Sequence, residues 1–564
     1  MKGAKGNGHP MPAGDRGEEM TRQPWIAHLA AAGVLDSHPP QRIETHISVI
    51  FLTSNRAFKL KKAVRLPFLD YATLAQRARM ALREFWINRF FAPPLYRGLR
   101  PVLAIPAAKG SACYRIGPLA APLPPADFEA ALARLEDRRV VAQILHVSPE
   151  EGRPVDWLVE MRRFPEEARW DRRAGRGELA PEDAAALADI IAANHAAAPR
   201  HRERPASATL IRALDDVIHT LRQQGHGPWR QEARLVRHHD RLRKALEAVS
   251  PLLEARRRHG FQRRCHGDMH LANICTLDDR PWPFDAIEFS DDIGIIDCAY
   301  DLAFPVMDML VRGVRQEAWT LFNRALEASG DITALRLWPV LMAMRATIRA
   351  MAEWGAGHPR AAESYRHFAE SVLARVESRP ARRPLWLAIG GLSGSGKSAL
   401  ARALGPQLEP LPGALWLRSD GIRKRLFNRR PEERLPPDAY TPFWHRRCYR
   451  RLLARARAAA RAGWPAILDA TWFHGGIRAE LAAEAARCGV RLHTFWLHAP
   501  AEVLRERVMG RAGDASDADA AVLERQLAGY EEPPAGWTVL DATQAPAALV
   551  RAVIRSIAEE GEGR

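Results

Sequence analysis

Gly391-Leu-Ser-Gly-Ser-Gly-Lys-Ser398 fits the pattern GxxxxGK[ST] and decides the fold of the last third of this 564-residue chain. The apolar run 385–389 before it reads as a strand, and 398–404, rich in Ala and Leu, opens a helix. Strand, glycine loop and helix in that order bring backbone N–H groups and a helix N-terminus to one point, where an anion is held. Glycines let the backbone wrap closely, a lysine at 397 reaches the β- and γ-phosphates, and a hydroxyl at 398 ligates magnesium. Gly391, Gly394, Ser395, Gly396, Lys397 and Ser398 are therefore expected to bind ATP, with Ser398 also on Mg²⁺.

The chain is too long for one core. Its 47% hydrophobic and 26% charged residues are ordinary for a globular protein. The apolar stretch 341–351 is broken by Arg345 and Arg349, so no membrane span is expected. Residues 1–22 are polar and Gly-rich without an apolar core, which predicts a disordered tail rather than a signal peptide. Six cysteines (113, 265, 275, 298, 448 and 488) form no CxxC pair, consistent with reduced thiols in the cytoplasm. The net charge of +17 divides as 57 basic and 46 acidic side chains in 1–384, and 26 and 20 in 385–564. At that scale the excess is even, which makes a nucleic-acid partner unlikely without excluding it.

The segment 376–384, with two prolines, is the linker expected before the 385 strand. Ahead of it, strands are predicted at 46–52, 57–60, 99–105, 140–146 and 156–161, then helices at 182–197, 207–224, 233–258, 299–328 and 332–356. Strands first and helices later predict a two-lobed α+β domain over 23–375. Beyond the linker, strands near 385, 414, 466, 491 and 537 alternate with helices, as in a parallel α/β sheet over 385–564.

In the first domain, Cys265-His-Gly-Asp-Met-His-Leu-Ala-Asn273 is followed by Trp282-Pro-Phe-Asp285. An Asp, an Asn five residues on, and an Asp on a short apolar strand suit a phosphotransfer site. One carboxylate takes or orients a hydroxyl proton, while the amide oxygen and the second carboxylate hold Mg²⁺. A zinc site from Cys265, His266, His270 and Cys275 is the competing reading; it leaves Gly267, Asp268 and Asn273 without a role. Arg56-Ala-Phe-Lys59 stands where kinases have a strand reading VAIK, with Ala57 and Lys59 on one face. Lys59 is the expected nucleotide lysine, its neighbour Lys61 being the alternative, with Glu84 on the following helix as the ion-pair partner of Lys59. No glycine-rich loop precedes Lys59; Ser54-Asn55 is the turn between the first two expected strands.

The HGDxHxxN form of that loop resembles the aminoglycoside phosphotransferase and choline kinase branch of the protein-kinase-like enzymes. The resemblance implies that Asp268 is the catalytic base and that Asn273 and Asp285 ligate metal. The stretch Gly294-Ile-Ile-Asp-Cys-Ala-Tyr-Asp-Leu-Ala303 is similar to that branch's GDPxYDLA segment, with Asp297 structural.

In the second domain, Trp416 to Lys424 is read as placing Asp420 and Arg423 at the end of a strand, and Asp469 ends another at Ala466-Ile-Leu-Asp469. Ligands of such sheets sit beyond the carboxyl ends of the strands, so both carboxylates are expected to face Lys397. Asp420 suits an acceptor hydroxyl and Asp469 suits Mg²⁺. Arg507 and Arg511, four apart on a helix, read either as a lid over the transferring phosphoryl or as an exposed basic face, with 516–519 as the lid turn. This layout resembles the small P-loop kinases: gluconate kinase, chloramphenicol phosphotransferase, zeta toxin and the polynucleotide 5′-hydroxyl kinase domain. The domain order resembles bacterial fusions described as bifunctional aminoglycoside phosphotransferase/ATP-binding proteins, and Glu44-Thr-His-Ile-Ser48 and Phe68-Leu-Asp-Tyr71 are similar to their small lobe. These readings imply an ATP- and Mg²⁺-dependent phosphotransferase with two centres acting on a hydroxyl of a small molecule. The alternative makes the first domain a non-catalytic ligand sensor, with the P-loop domain a polynucleotide- or zeta toxin-like kinase.

Overall fold

The computed structural model describes residues 23–562 except 32, 67–68, 107–111, 125–126, 379–382, 431, 511–518 and 531. The tail expected at 1–22, the middle of the linker, Phe68, Arg511 and residues 516–518 of the lid turn lie outside the described residues. The chain forms two compact units, and among the described residues no helix is long and apolar enough to cross a membrane.

The first unit comprises 23–176, Ala197–Arg202 and Gln262–Ile296. Its strands are β1 (Gln41–Glu44), β2 (Ser48–Leu52), β3 (Arg56–Lys61), β4 (Tyr96–Pro106), β5 (Ala112–Ile116) and β6 (Arg153–Arg162), in the antiparallel order β1-β2-β3-β6-β4-β5. Alternation along β3 sends Phe58 and Leu60 into a core with Val49, Phe51 and Leu158. Lys59 and Lys61 therefore share the other face. Helix α1 (Leu74–Phe91) opens with a capping box, in which Thr73 and Gln76 exchange side-chain and backbone hydrogen bonds. It buries Leu82, Phe85 and Trp86 with Trp157 and Val159. A further hairpin, β7 (Ile274–Leu277) and β8 (Arg280–Pro283), turns through Asp278 and Asp279, both at positive φ (51° and 56°).

Two expectations are corrected here. The predicted strand 140–146 is a helix, Arg138–Ile144: Asp137 accepts from Arg139 N at 2.8 Å, and the apolar run supplies the helix face that buries Val141. The first expected strand starts at Ser48 and pairs with an unforeseen β1. The turn between the first two strands is thus 45–47, which also lacks glycine.

The second unit comprises Gly177–Ala196, Glu203–Phe261 and the described residues from Asp297 onward. The helix predicted over 299–328 is two, Cys298–Val311 and α2 (Arg315–Ser329), because Gly313 takes φ +83° between them. Residues 332–356 divide into a 3₁₀ turn, Ile332–Arg336, and a helix, Trp338–Gly355. Asp297 accepts from Ala299 N at 2.8 Å at a helix start and pairs with buried Arg256 at 2.8 Å, a structural placement.

The sheet of this unit holds β9 (Leu385–Gly391), β10 (Leu415–Arg418), β11 (Ala466–Asp469), β12 (Arg491–His498) and β13 (Thr538–Asp541), in the parallel order β10-β11-β9-β12-β13. Every residue of central β9 is buried, as a strand covered on both faces requires. Helix α3 (Lys397–Leu404) follows the glycine loop, and α4 (Ser419–Leu426) follows β10 directly. Helices α5 (Pro442–Arg461) and α6 (Ala501–Met509) come later in the chain. Edge strand β10 is covered by α2. Asn323 Nδ2 donates to Ala414 O at 3.2 Å and its Oδ1 accepts from Trp416 N at 2.7 Å, so one side-chain amide substitutes for a neighbouring strand. Trp319 donates to the same Ala414 carbonyl at 2.8 Å and fills the space left by Gly405 and Gly413.

Candidate active site

Parallel register builds the P-loop site. Ile389 pairs with Asp469 and Arg418 pairs with Asp469 from the other side, so β10 and β11 end level with Ile389, two residues before the end of β9. Ser398 Oγ donates to Asp469 Oδ2 at 2.7 Å, and Trp416 Nε1 donates to the same oxygen at 3.2 Å. Burial raises the Asp469 pKa, against Lys397 and Ser398, which lower it. Lys397 Nζ donates to Gly391 O at 3.0 Å and Leu392 O at 2.8 Å.

The loop has the shape of an anion cradle. Gly391, Gly394 and Gly396 take φ of +142°, +86° and +91°. A Cβ at Gly391 would stand 2.6 Å from Ser395 Oγ, and one at Gly394 would stand 2.8 Å from Leu504 O. Ser395 Oγ is itself buried without a hydrogen-bond partner among the described residues. These features fit a bound triphosphate, with Lys397 facing its charge and Ser398 and Asp469 presenting oxygens to magnesium.

A cleft of about 780 Å³ opens over this cradle, and Asp420, Arg423, Asp469 and Arg507 line it. Asp420 and Arg423 lie on α4, so the first turn of a helix, not the strand itself, presents the carboxylate. Buried Arg423 donates to Ala439 O at 3.0 Å and lies over the Tyr440 ring at 5.0 Å. Burial first, then Arg423, pushes the His445 pKa down to about 4, which leaves that ring neutral near pH 7. Sequence reasoning missed Trp416, His445, Tyr449 and Gln526. Gln526 Oε1 accepts from the loop amide of Ser393 at 2.8 Å, and Tyr449 OH lies 3.2 Å from Thr471 Oγ1. The i, i+4 spacing of His445 and Tyr449 on α5 was the one available signal.

The constellation in the first unit is drawn together by the hairpin. Ile274 stands opposite Pro283 and Phe284 N donates to Asn273 O at 2.9 Å, so Asn273 and Asp285 flank its open end. Asn273 Nδ2 donates to Asp268 O at 2.9 Å and Asp268 Oδ2 at 3.1 Å, which leaves its amide oxygen as the group able to meet a cation. His266 Nε2 donates to Phe284 O at 2.9 Å while its Nδ1 accepts from Asp268 N at 3.3 Å. Cys265 Sγ meets Ile296 O at 3.6 Å, and Cys275 is a buried thiol pushed up to about 12. Cys265, His266, His270 and Cys275 do not come together as a metal group among the described residues.

Both candidate lysines reach Glu84. Lys59 lies 2.9 Å from Glu84 Oε1 and 2.6 Å from Asp285 Oδ1; Lys61 lies 2.7 Å from Glu84 Oε2 and 2.6 Å from Glu288 Oε1. Of the two, Lys59 is the one that touches Asp285, whose side chain is 45% exposed. Burial would raise the Glu84 pKa, but the two ammoniums outweigh it and hold the carboxyl below its usual range.

Residues 386–533 match the AAA domain family. Over 518 residues the chain is 26% identical to an uncharacterized protein of Mycobacterium tuberculosis strain H37Rv, covering 87% of this chain and 91% of that one. An uncharacterized protein of Mycobacterium bovis matches to the same extent. Among solved structures, a choline/ethanolamine kinase family protein from Mesorhizobium loti aligns over 64% of this chain and 94% of its own, at 17% identity and a TM-score of 0.34. A gluconokinase from Sinorhizobium meliloti 1021 aligns over 32% of this chain and 95% of its own, at 24% identity and a TM-score of 0.23.

Proposed function

We propose that the protein is a cytoplasmic ATP-dependent phosphotransferase that acts on a hydroxyl of a small molecule, with its main centre in the P-loop domain 385–564. The carrying observation is the convergence of Lys397, Ser398, Asp469 and Asp420 on one cleft with room for an acceptor. Bound Mg-ATP supplies the phosphoryl group to be transferred. Ser398 and Asp469 orient the metal, Lys397 exchanges its carbonyl contacts for phosphate, and Asp420 accepts the proton from the acceptor hydroxyl oxygen. Arg507, with Arg511, closes over the transferring group.

Residues 23–375, joined through 376–384, form in this reading a kinase-like domain with a second Mg-ATP centre. There Lys59 and Glu84 bind nucleotide, Asn273 and Asp285 hold Mg²⁺, and Asp268 is the base. The glycine-free 45–47 turn favours a second reading, in which this domain senses a ligand and does not transfer phosphate. A panel of metabolites and aminoglycosides with γ-labelled ATP tests both readings in the full chain. Asp420→Asn is expected to abolish one set of products and Asp268→Asn another. Products unchanged in both variants contradict the assignment, and loss through Asp420→Asn alone selects the sensor reading.

A further inference from the structure

Within the P-loop domain the positive charge is sharply local. Residues 419–461 hold 13 basic and 4 acidic side chains, +9 of the chain's +17, while the rest of 385–564 holds 13 basic and 16 acidic. A general bias toward arginine would not leave the remainder of the same domain acidic. The excess is concentrated on α5, where Arg446, Arg447, Arg450, Arg451 and Arg461 are all exposed. None of the five enters an ion pair among the described residues, in contrast to Arg457, which pairs with Glu484 at 3.2 Å.

Physical chemistry disfavours this arrangement in the free protein. The first turn of α5 carries no acidic residue to offset the arginines that follow it. Arg446 with Arg450, and Arg447 with Arg451, are like-charged i, i+4 pairs, each destabilising by a few tenths of a kcal/mol. Two exposed aromatic rings accompany them: Tyr440 at 46% exposure, on the cleft wall, and Phe443 at 57%, on the first turn of α5. Phe443 rests edge-on against Trp444 at 5.3 Å, which fixes its ring.

We propose that the outward face of α5 is a binding surface for a single-stranded nucleic acid, entering at the cleft mouth over Tyr440 and Phe443. Arginines without ion pairs track a phosphodiester backbone and exposed rings stack bases, and the two interleaved are what a single strand needs. From Arg446 to Arg461 the stripe runs about 22 Å at 1.5 Å per residue, longer than a small phosphate ester can cover. The surface does not depend on which hydroxyl the cleft phosphorylates.

The test uses the full chain and a fluorescein-labelled single-stranded oligonucleotide of about 12 nucleotides, within the usual site sizes. Fluorescence anisotropy is expected to show binding that weakens about 50-fold between about 50 and 200 mM KCl, as four phosphate contacts imply. Changing Arg446, Arg447, Arg450 and Arg451 together to Gln is expected to weaken binding at least about tenfold and flatten the salt slope, whereas changing them to Lys restores most of it. Mg-AMPPNP binding, followed by calorimetry, should be equal in all forms, which separates failure here from failure of the kinase reading. The proposal is overturned by absence of oligonucleotide binding at the lower salt, or by equal binding in the Gln variant. It is also overturned if a 3′-mononucleotide displaces the oligonucleotide at equal concentration, or if anionic phosphatidylserine vesicles bind through the four arginines and the oligonucleotide does not.

Discussion

Lys59 ends between two carboxylates, 2.9 Å from Glu84 and 2.6 Å from Asp285, whereas Lys397 ends on two carbonyl oxygens at 3.0 and 2.8 Å. In the first unit the ammonium is compensated by charge, and burial strengthens each pairing while raising the cost of breaking it. In the P-loop the two hydrogen bonds of the lysine go to neutral carbonyls, with the Asp469 carboxylate acting on it electrostatically, and a phosphate outcompetes the carbonyls. On the proposed function, the carbonyl contacts of Lys397 exchange more readily than the two carboxylate pairings of Lys59. Tighter nucleotide binding is expected at Lys397 than at Lys59.

The sharpest way to probe the contrast is Asp420→Asn, expected to lower transfer at the P-loop centre by about 10²–10⁴-fold while sparing Mg-AMPPNP affinity. If affinity falls as far as turnover, Asp420 belongs with Asp469 around the metal. Next in size is Glu84→Gln, which leaves Lys59 and Lys61 without their shared buried carboxylate. A loss of about 3–5 kcal/mol is expected in urea unfolding, and a loss under about 1 kcal/mol would show that the pairs are not coupled.

The same carboxylate sets a pH dependence. Its pKa falls from 4.5 in the unfolded chain to about 2 in the fold, so the unfolded state binds the proton more readily. The stabilisation is complete above pH 4.5 and disappears as pH falls toward 2. Thermal melts are expected to drop across that window in the parent and less in Glu84→Gln; parallel curves contradict this. A smaller effect is expected from Asn323→Ala, about 1–3 kcal/mol, because it unpairs the buried edge of β10. Equal stability of the variant would mean that Trp319 alone holds that edge.

Much of this was legible because it is local. The glycine loop, its flanking strand and helix, and the 268–273–285 constellation all lie within short stretches, and the β7–β8 hairpin closes the last of them through adjacent residues. The choice of Lys59 over Lys61 rested on the likeness to VAIK alone, since both share a strand face, and the fold shows that Lys59 is the one that meets Asp285. Strand signals misled at 140–146, where β-branched Val140 and Val141 serve a helix started by Asp137. The covering of β10 was hidden for another reason: Asn323 and Trp416 are 93 residues apart, and a single amide substituting for a strand leaves no periodicity. Trp416, which orients Asp469, was invisible in the same way.

The most direct test is calorimetric titration of Mg-AMPPNP into the full chain and its Lys397→Ala variant. The expected parent isotherm holds a tight site and a weaker one; Lys397→Ala removes the tight site by at least about 100-fold in affinity and leaves the weaker one, which Asp285→Ala then removes. An isotherm unchanged by Lys397→Ala would contradict the assignment of nucleotide to the glycine loop and, with it, the kinase reading of the cleft.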